Sequence, residues 1–213
     1  MRVKIHTMLM TNKSGFRLLS DMRKSIITLI AVLVALLANA QTGLKKVYNE
    51  DINPLEQIDR AIVKAKSEGK FVVCQVGGNW CPWCLRFADF ISKDTAISKV
   101  IDENFEYIHV NYDPRKSGGK KLQTGDGTSE MAQQQQAAAL MKRLNNCGRF
   151  GFPVFVVLDE DGKVIHIQDS SFLEKMASET NGSLGEGEQE LGYNQEKVLR
   201  FFKNWTPKAV KNL

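Results

Sequence analysis

The stretch that most constrains this chain is an apolar run followed at once by two closely spaced cysteines. Residues 71–76 read Phe-Val-Val-Cys-Gln-Val, a length and β-branched content typical of a buried strand. Gly77, Gly78 and Asn79 lead from it into Trp80-Cys81-Pro82-Trp83-Cys84, and residues 85–91 carry apolar side chains at helical spacing. The pattern predicts a central strand that feeds a helix, with both cysteines on the first turn of that helix.

A cysteine at the start of a helix has a particular chemistry. The unpaired N–H groups and the positive dipole end there favour a thiolate, so the pKa of Cys81 is expected to be low. Pro82 suits the first helical turn, where a missing N–H costs nothing. We therefore predict Cys81 as the nucleophile. Cys84, one turn further in and less exposed, is predicted to form and open a disulfide with it.

Helices and strands alternate along the rest of the chain. After a polar lead-in (residues 41–53), caps and apolar periodicity predict a domain over 54–213. Residues 114–136, rich in Lys, Gly, Ser and Gln, are predicted to be a loop insertion whose glutamines begin the next helix. The predicted elements are a helix from Pro54 to Gly69, the strand and helix around the cysteines, a helix capped by Asp94, a strand at 105–111, a helix ending at Leu144, strands at 154–158 and 163–167, a loop at 179–193 and a helix from Asn194 to Pro207.

The N-terminal 40 residues predict an exported protein. From Met22 the chain reads Arg23-Lys24, a twelve-residue apolar stretch and Ala38-Asn39-Ala40, which is the order of a secretory signal peptide. The apolar stretch is shorter than the roughly 18 residues that a membrane-spanning helix needs. We expect cleavage after Ala40, a mature protein that begins at Gln41, and Met22 as a possible true start.

The net charge of +5 does not indicate a nucleic-acid partner. Of the 29 Lys/Arg and 24 Asp/Glu side chains, six and one lie in residues 1–40, which leaves 23 of each in the remainder. A neutral domain has no basic surface with which to hold phosphates. We therefore expect no nucleic-acid binding.

Two blocks of sequence together resemble thioredoxin. The first is Trp80-Cys81-Pro82-Trp83-Cys84 after a buried strand, and the second is Gly151-Phe152-Pro153 before the strand 154–158 and its hairpin turn. The resemblance covers about residues 54–206. It implies an α/β thioredoxin-like fold, a mixed central sheet with helices on both faces. It also implies that Pro153 is a cis-proline facing the cysteines, and that substrate contacts Trp80, Pro82, Trp83, Phe152 and Pro153.

The sequence departs from thioredoxin at three places. The buried aspartate six residues before the first cysteine is Gln75 here, which cannot titrate. The residue after the cis-proline is Val154 rather than threonine, and Pro82-Trp83 replaces Gly-Pro between the cysteines. These changes bear on the reduction potential and on the choice of partner. Trp83 is expected to be exposed, either as an apolar contact for substrate or in a purely steric role.

Other interpretations of the cysteines stay open at this point. The pair could be half of a zinc site, completed by Cys74, Cys147, His109 or His166, although none of these forms a second close pair. A permanent structural disulfide would also suit an oxidising compartment. Cys74, inside an apolar strand, is interpreted as a small buried hydrophobe. Cys147 is interpreted as an inert thiol, with a third redox thiol as the alternative.

The resemblance implies an exported, periplasmic protein-disulfide oxidoreductase that we expect to act as a reductase. Cys81 would attack a substrate disulfide and Cys84 would resolve the mixed disulfide, with no metal or organic cofactor. Its partners would be protein disulfide substrates and a membrane or soluble redox partner. The alternatives are a disulfide oxidase or isomerase, and a binding module that keeps the fold without redox turnover.

Overall fold

A computed structural model describes residues 43–117, 127–176 and 192–212. The predicted leader and most of the predicted loop at 179–193 lie outside these residues. Within the described ranges no helix is both long and apolar enough to cross a bilayer. The helices are α1 (Pro54–Ser67), α2 (Pro82–Lys93), α3 (Thr95–Asn104), α4 (Pro114–Ser117), α5 (Gly127–Arg143), α6 (Gln195–Asn204) and α7 (Pro207–Val210), and the strands are β1 (Phe71–Gly77), β2 (Phe105–Asn111), β3 (Val154–Leu158) and β4 (Val164–Asp169).

The four strands form one mixed sheet in the order β2-β1-β3-β4. β1 runs parallel to β2 and antiparallel to β3, and β4 is an antiparallel edge strand. Val76, next to the end of β1, pairs with Val154, the first residue of β3. This register brings the segment after β1, which holds the cysteines, beside the segment before β3, which holds Pro153.

Both faces of the sheet are covered, as predicted. Alternate residues of β1 point to opposite faces, so Val72 and Val76 pack with residues of α1 and α5. Phe71 and Val73 pack on the other face with residues of α2, α3 and α6. Every residue of β1 is buried, which explains why its sequence is apolar apart from Gln75.

The predicted loop insertion at 114–136 is partly helical. α4 covers Pro114–Ser117, and α5 begins at Gly127, before the run of glutamines. Alanine, glutamine and methionine are strong helix formers, and Leu140 and Leu144 bury the C-terminal part of this region against the sheet. The helix therefore starts earlier than the polar composition predicted.

Candidate active site

Cys81 occupies the N-cap of α2. Its backbone is extended, with φ −103° and ψ 104°, and its Sγ accepts a hydrogen bond of 3.2 Å from the backbone N–H of Cys84. Pro82 is the first helical residue and is exposed. Cys81 and Cys84 are joined by a disulfide, with their Cα atoms 5.3 Å apart. The predicted pair therefore lies where helix N–H groups stabilise sulfur anions.

The two sulfurs differ in their surroundings. Cys81 is 5% exposed and Cys84 is fully buried, so the order of exposure is the predicted one. Gly77 is needed for this arrangement, because a Cβ at that position would overlap Cys84 Sγ. Reagents can therefore reach the pair only from the Cys81 side.

The segment before β3 lies against Cys81. The Phe152–Pro153 peptide bond is cis, as the resemblance implies. The carbonyl oxygen of Phe152 lies 3.6 Å from Cys81 Sγ. Pro153 is buried, whereas Phe152 is partly exposed and Gly151, at φ +83°, is exposed. A peptide approaching Cys81 would thus meet the exposed Gly151 and the partly exposed Phe152.

Two tryptophans border the pair. Trp80 donates from Nε1 to the carbonyl oxygen of Tyr112 at 3.0 Å, and its ring packs edge-on against Phe152 at 5.6 Å. Trp83 was predicted to be exposed, and this is wrong, since it is only partly exposed. Its ring packs edge-on against Tyr193 at 5.7 Å, because the segment that precedes α6 covers this side of α2.

Gln75 lies directly beneath the cysteines and is fully buried. Its Nε2 donates two hydrogen bonds, one of 2.8 Å to the carbonyl oxygen of Cys84 and one of 2.7 Å to the hydroxyl of Tyr48. Its Oε1 accepts a hydrogen bond of 2.5 Å from the hydroxyl of Tyr107. A neutral amide with these partners replaces the buried carboxylate of thioredoxin.

Tyr48 is the residue of this site that sequence reasoning missed. It belongs to the lead-in, and it is 4% exposed. Asn79 holds it in place, because its Oδ1 accepts the N–H groups of Val47 and Tyr48 and its Nδ2 donates to the carbonyl of Tyr48 at 2.8 Å. The signal that could have found it was Asn79, a polar residue with strong hydrogen-bonding capacity next to the cysteines.

The other two cysteines lie apart from the pair. Cys74 and Cys147 are fully buried among the apolar residues between the sheet and α1 and α5. Burial raises the pKa of Cys147 to about 11 and that of Cys74 further still. Both thiols therefore stay protonated at neutral pH, as expected for inert cysteines.

The histidines do not complete a metal site with the pair. His109 packs between the rings of Tyr48 and Tyr107, and His166 stacks on Trp205 with ring centroids 4.1 Å apart. Burial lowers the pKa of His109 to about 4. In the part of the chain that the structure describes, no three His, Cys, Asp or Glu side chains are grouped to hold a metal ion.

The fold and the site define a class of protein in which a Cys-x-x-Cys pair at a helix N-terminus faces a cis-proline. The family model described as a thioredoxin-like domain matches residues 58–170, more than half of the chain. The chain belongs to this family.

Solved structures that are similar to the chain include the following two. One is a disulphide isomerase from Xylella fastidiosa Temecula1, with a TM-score of 0.50 and 19% identity over 76% of this chain and 98% of that one. The other is a DsbH oxidoreductase, with a TM-score of 0.36 and 21% identity over 52% of this chain and 67% of that one. No curated protein matches the chain significantly. The isomerase thus supports the fold.

Proposed function

We propose that the protein is a thiol–disulfide oxidoreductase that acts on protein disulfides through Cys81 and Cys84. The observation that carries the proposal is the position of Cys81 Sγ. It caps the N-terminus of α2, accepts an N–H hydrogen bond, and lies beside the carbonyl of the cis-proline segment. A sulfur in this environment is stabilised as a thiolate and has a backbone beside it that a peptide substrate can contact.

The reaction proceeds in two exchanges. The Cys81 thiolate attacks one sulfur of a substrate disulfide, and the substrate S–S bond breaks. The second substrate sulfur leaves as a thiolate and takes up a proton. Cys84 then loses its proton and attacks Cys81 Sγ, which releases the first substrate sulfur as a thiol once it is protonated. Two electrons pass to the substrate, and the Cys81–Cys84 disulfide of this structure is the oxidised product.

Substrate contacts are proposed for the residues that border Cys81. The backbone at Gly151 and Phe152 is open to an extended peptide, and Trp80 packs on Phe152 to form an apolar wall. Pro82 is exposed on the other side of the cysteine, and Trp83 retains part of its ring surface for contact. These groups recognise backbone and apolar side chains rather than a particular charge.

We propose the reductive direction, with electrons delivered by a membrane or soluble redox partner, in the periplasm. The basic, apolar and small-residue order of residues 23–40 supports export. Mass analysis of the protein recovered from an envelope fraction should show Gln41 as the first residue. A chain that retains Met1 or Met22 would contradict the proposed processing.

Insulin reduction with dithiothreitol tests the activity. The protein should accelerate precipitation of the insulin B chain, and a variant with both Cys81 and Cys84 changed to Ser should not. A rate no higher than that of dithiothreitol alone would instead support a binding module. Equilibration with glutathione then gives the reduction potential of the Cys81–Cys84 pair and hence the direction of the reaction. A potential of about −270 mV suits a reductase, and one of about −120 mV suits an oxidase.

A further inference from the structure

The two sulfurs of the pair differ in what can stabilise them once the disulfide is reduced. Cys81 Sγ accepts the N–H of Cys84 at the helix N-terminus. Among the described residues, no backbone N–H donates to Cys84 Sγ. Cys84 must nevertheless become a thiolate to resolve a mixed disulfide, and a buried thiolate without a donor is costly.

The hydroxyl of Tyr48 and Cys84 Sγ both face the backbone of Gly77. Both atoms border the same small space next to Gly77, since a Cβ at Gly77 would overlap Cys84 Sγ and come within 3.0 Å of the Tyr48 hydroxyl. The two side chains also belong to one buried cluster with Cys81 and Leu85. The absence of a Cβ at Gly77 therefore leaves room for both the tyrosine oxygen and the sulfur at this point.

The direction of the Gln75 amide determines where the Tyr48 proton can point. The carbonyl of Cys84 can only accept, so the Gln75 atom that faces it must be Nε2. The same Nε2 then donates to the Tyr48 oxygen, so that oxygen acts as an acceptor in this hydrogen bond. The hydroxyl proton of Tyr48 must point elsewhere, and no oxygen or nitrogen in the described part of the chain accepts it.

We infer that Tyr48 is a positioning residue that donates its hydroxyl hydrogen bond to the Cys84 thiolate during resolution. This inference rests on the proposed function. Burial raises the pKa of Tyr48 far above its ordinary value, so the hydroxyl keeps its proton and remains a donor. The proton that Cys84 loses goes to the departing substrate thiolate through solvent, and the Tyr48 O–H bond is not broken.

Three titratable groups that pack on this network stay neutral near pH 7, and the carboxylate of Glu50 lies beyond Asn79, whose Nδ2 donates to it. The three groups are Tyr107 and His109 of β2, which flank Tyr48 and Gln75, and Tyr193, which packs on the far side of α2. Burial raises the pKa of both tyrosines and lowers that of His109 to about 4. A pH profile between 5 and 9 therefore reports on Cys81 and Cys84.

The test is stopped-flow resolution of a preformed mixed disulfide between Cys81 and glutathione, measured across this pH range. Tyr48→Phe keeps the ring and removes only the hydroxyl. We expect resolution to become about tenfold slower at pH 7, with the apparent pKa of Cys84 about one unit higher. The rate at which reduced Cys81 attacks an external disulfide should not change.

Tyr107→Phe is the matched control, because it removes a buried hydroxyl from the other end of the same amide. It should lower the melting temperature but leave the pH profile of resolution in place. A Tyr48→Phe profile that superimposes on the wild type would overturn the inference. So would an equal shift in Tyr107→Phe, which would indicate packing rather than the hydroxyl.

The NMR resonance of Tyr48 and the exchange activity of the wild-type protein are two further measurements that test the inference. If Tyr48→Phe does not fold, the Cζ carbon of Tyr48 can be followed by NMR in the reduced wild-type protein carrying ring-labelled tyrosine. This resonance should shift as Cys84 ionises, and a resonance that does not move would overturn the inference. A wild type without any exchange activity would instead reject the proposed function.

Discussion

The side-chain amide of Gln75 donates a 2.8 Å hydrogen bond to the backbone carbonyl of Cys84, directly beneath the disulfide. This contact connects the centre of the sheet to the first turn of α2. It places a neutral amide, rather than a carboxylate, behind Cys84. The site therefore differs from thioredoxin in its electrostatics while keeping the same arrangement of the two sulfurs.

Replacing this amide by a carboxylate should add an ionisation to the reaction. In Gln75→Asp, the introduced carboxylate would repel the Cys84 thiolate once it is charged, so the pH profile of resolution should gain a transition that the parent lacks. Stopped-flow resolution of a Cys81 mixed disulfide across pH measures this. Superimposable profiles would mean that position 75 does not influence Cys84.

The same variant should be less stable, in a pH-dependent manner. Burial would raise the folded-state pKa of the new carboxyl above its unfolded value of about 4, so the deficit should grow as pH rises through the folded pKa. We expect a loss of at least about 2 kcal/mol at pH 7, measured by urea unfolding. Gln75→Asn, which is the same length as Asp but neutral, is the control and should show a deficit independent of pH.

The two cysteines should trap substrates unequally. If Cys81 attacks and Cys84 resolves, Cys84→Ser should accumulate mixed disulfides with client proteins, because the attack occurs but the second exchange cannot. Cys81→Ser should accumulate none, since Cys84 is fully buried. Non-reducing gels of cells that express each variant report this, and equal trapping by both would remove the assigned roles.

Local patterns were sufficient to predict much of this molecule. The buried strand β1, the helix start at Cys81 and the hairpin turn after β3 each follow from a few adjacent residues, such as the apolar run ending at Val76 and Pro82 at the first helical position. The position of Pro153 opposite the cysteines was not predicted from local patterns, because it was implied by the resemblance to thioredoxin.

Contacts between distant segments were not predictable in this way. Tyr48 and Gln75 are 27 residues apart, and their hydrogen bond depends on the lead-in packing beside Asn79. Tyr193 donates to the carbonyl of Trp83 from 110 residues away, and this packing covers a ring that was predicted to be exposed. No periodicity reports such contacts, because each depends on how a loop or a chain end packs on the sheet.

Asn79 should control the position of Tyr48. Asn79→Ala removes the acceptor for the N–H groups of Val47 and Tyr48 and the donor to the Tyr48 carbonyl, in a partly buried place. We expect a loss of about 1–3 kcal/mol in the free energy of unfolding. Asn79→Asp keeps the acceptor but places a carboxylate oxygen against the Tyr48 carbonyl and Glu50, so it should also lose stability. Equal stability of Asn79→Ala and the parent in urea would show that the lead-in does not depend on Asn79.

The partly buried ring of His109 should make the protein sensitive to acid. Its pKa is lowered by burial to about 4 from an ordinary value of 6.5, and its Nε2 is buried with no hydrogen-bond partner among the described residues. The unfolded chain therefore binds a proton that the folded chain does not bind between these pH values, so this contribution to stability falls as pH drops from about 6.5 to about 4. The expected loss in the free energy of unfolding is about 2–3 kcal/mol.

Urea unfolding at pH 7 and pH 4.5 should show a smaller decrease in His109→Phe, which keeps an aromatic ring against Tyr48 and Tyr107. An identical decrease in parent and variant, or an NMR titration of His109 near pH 6.5, would contradict this assignment.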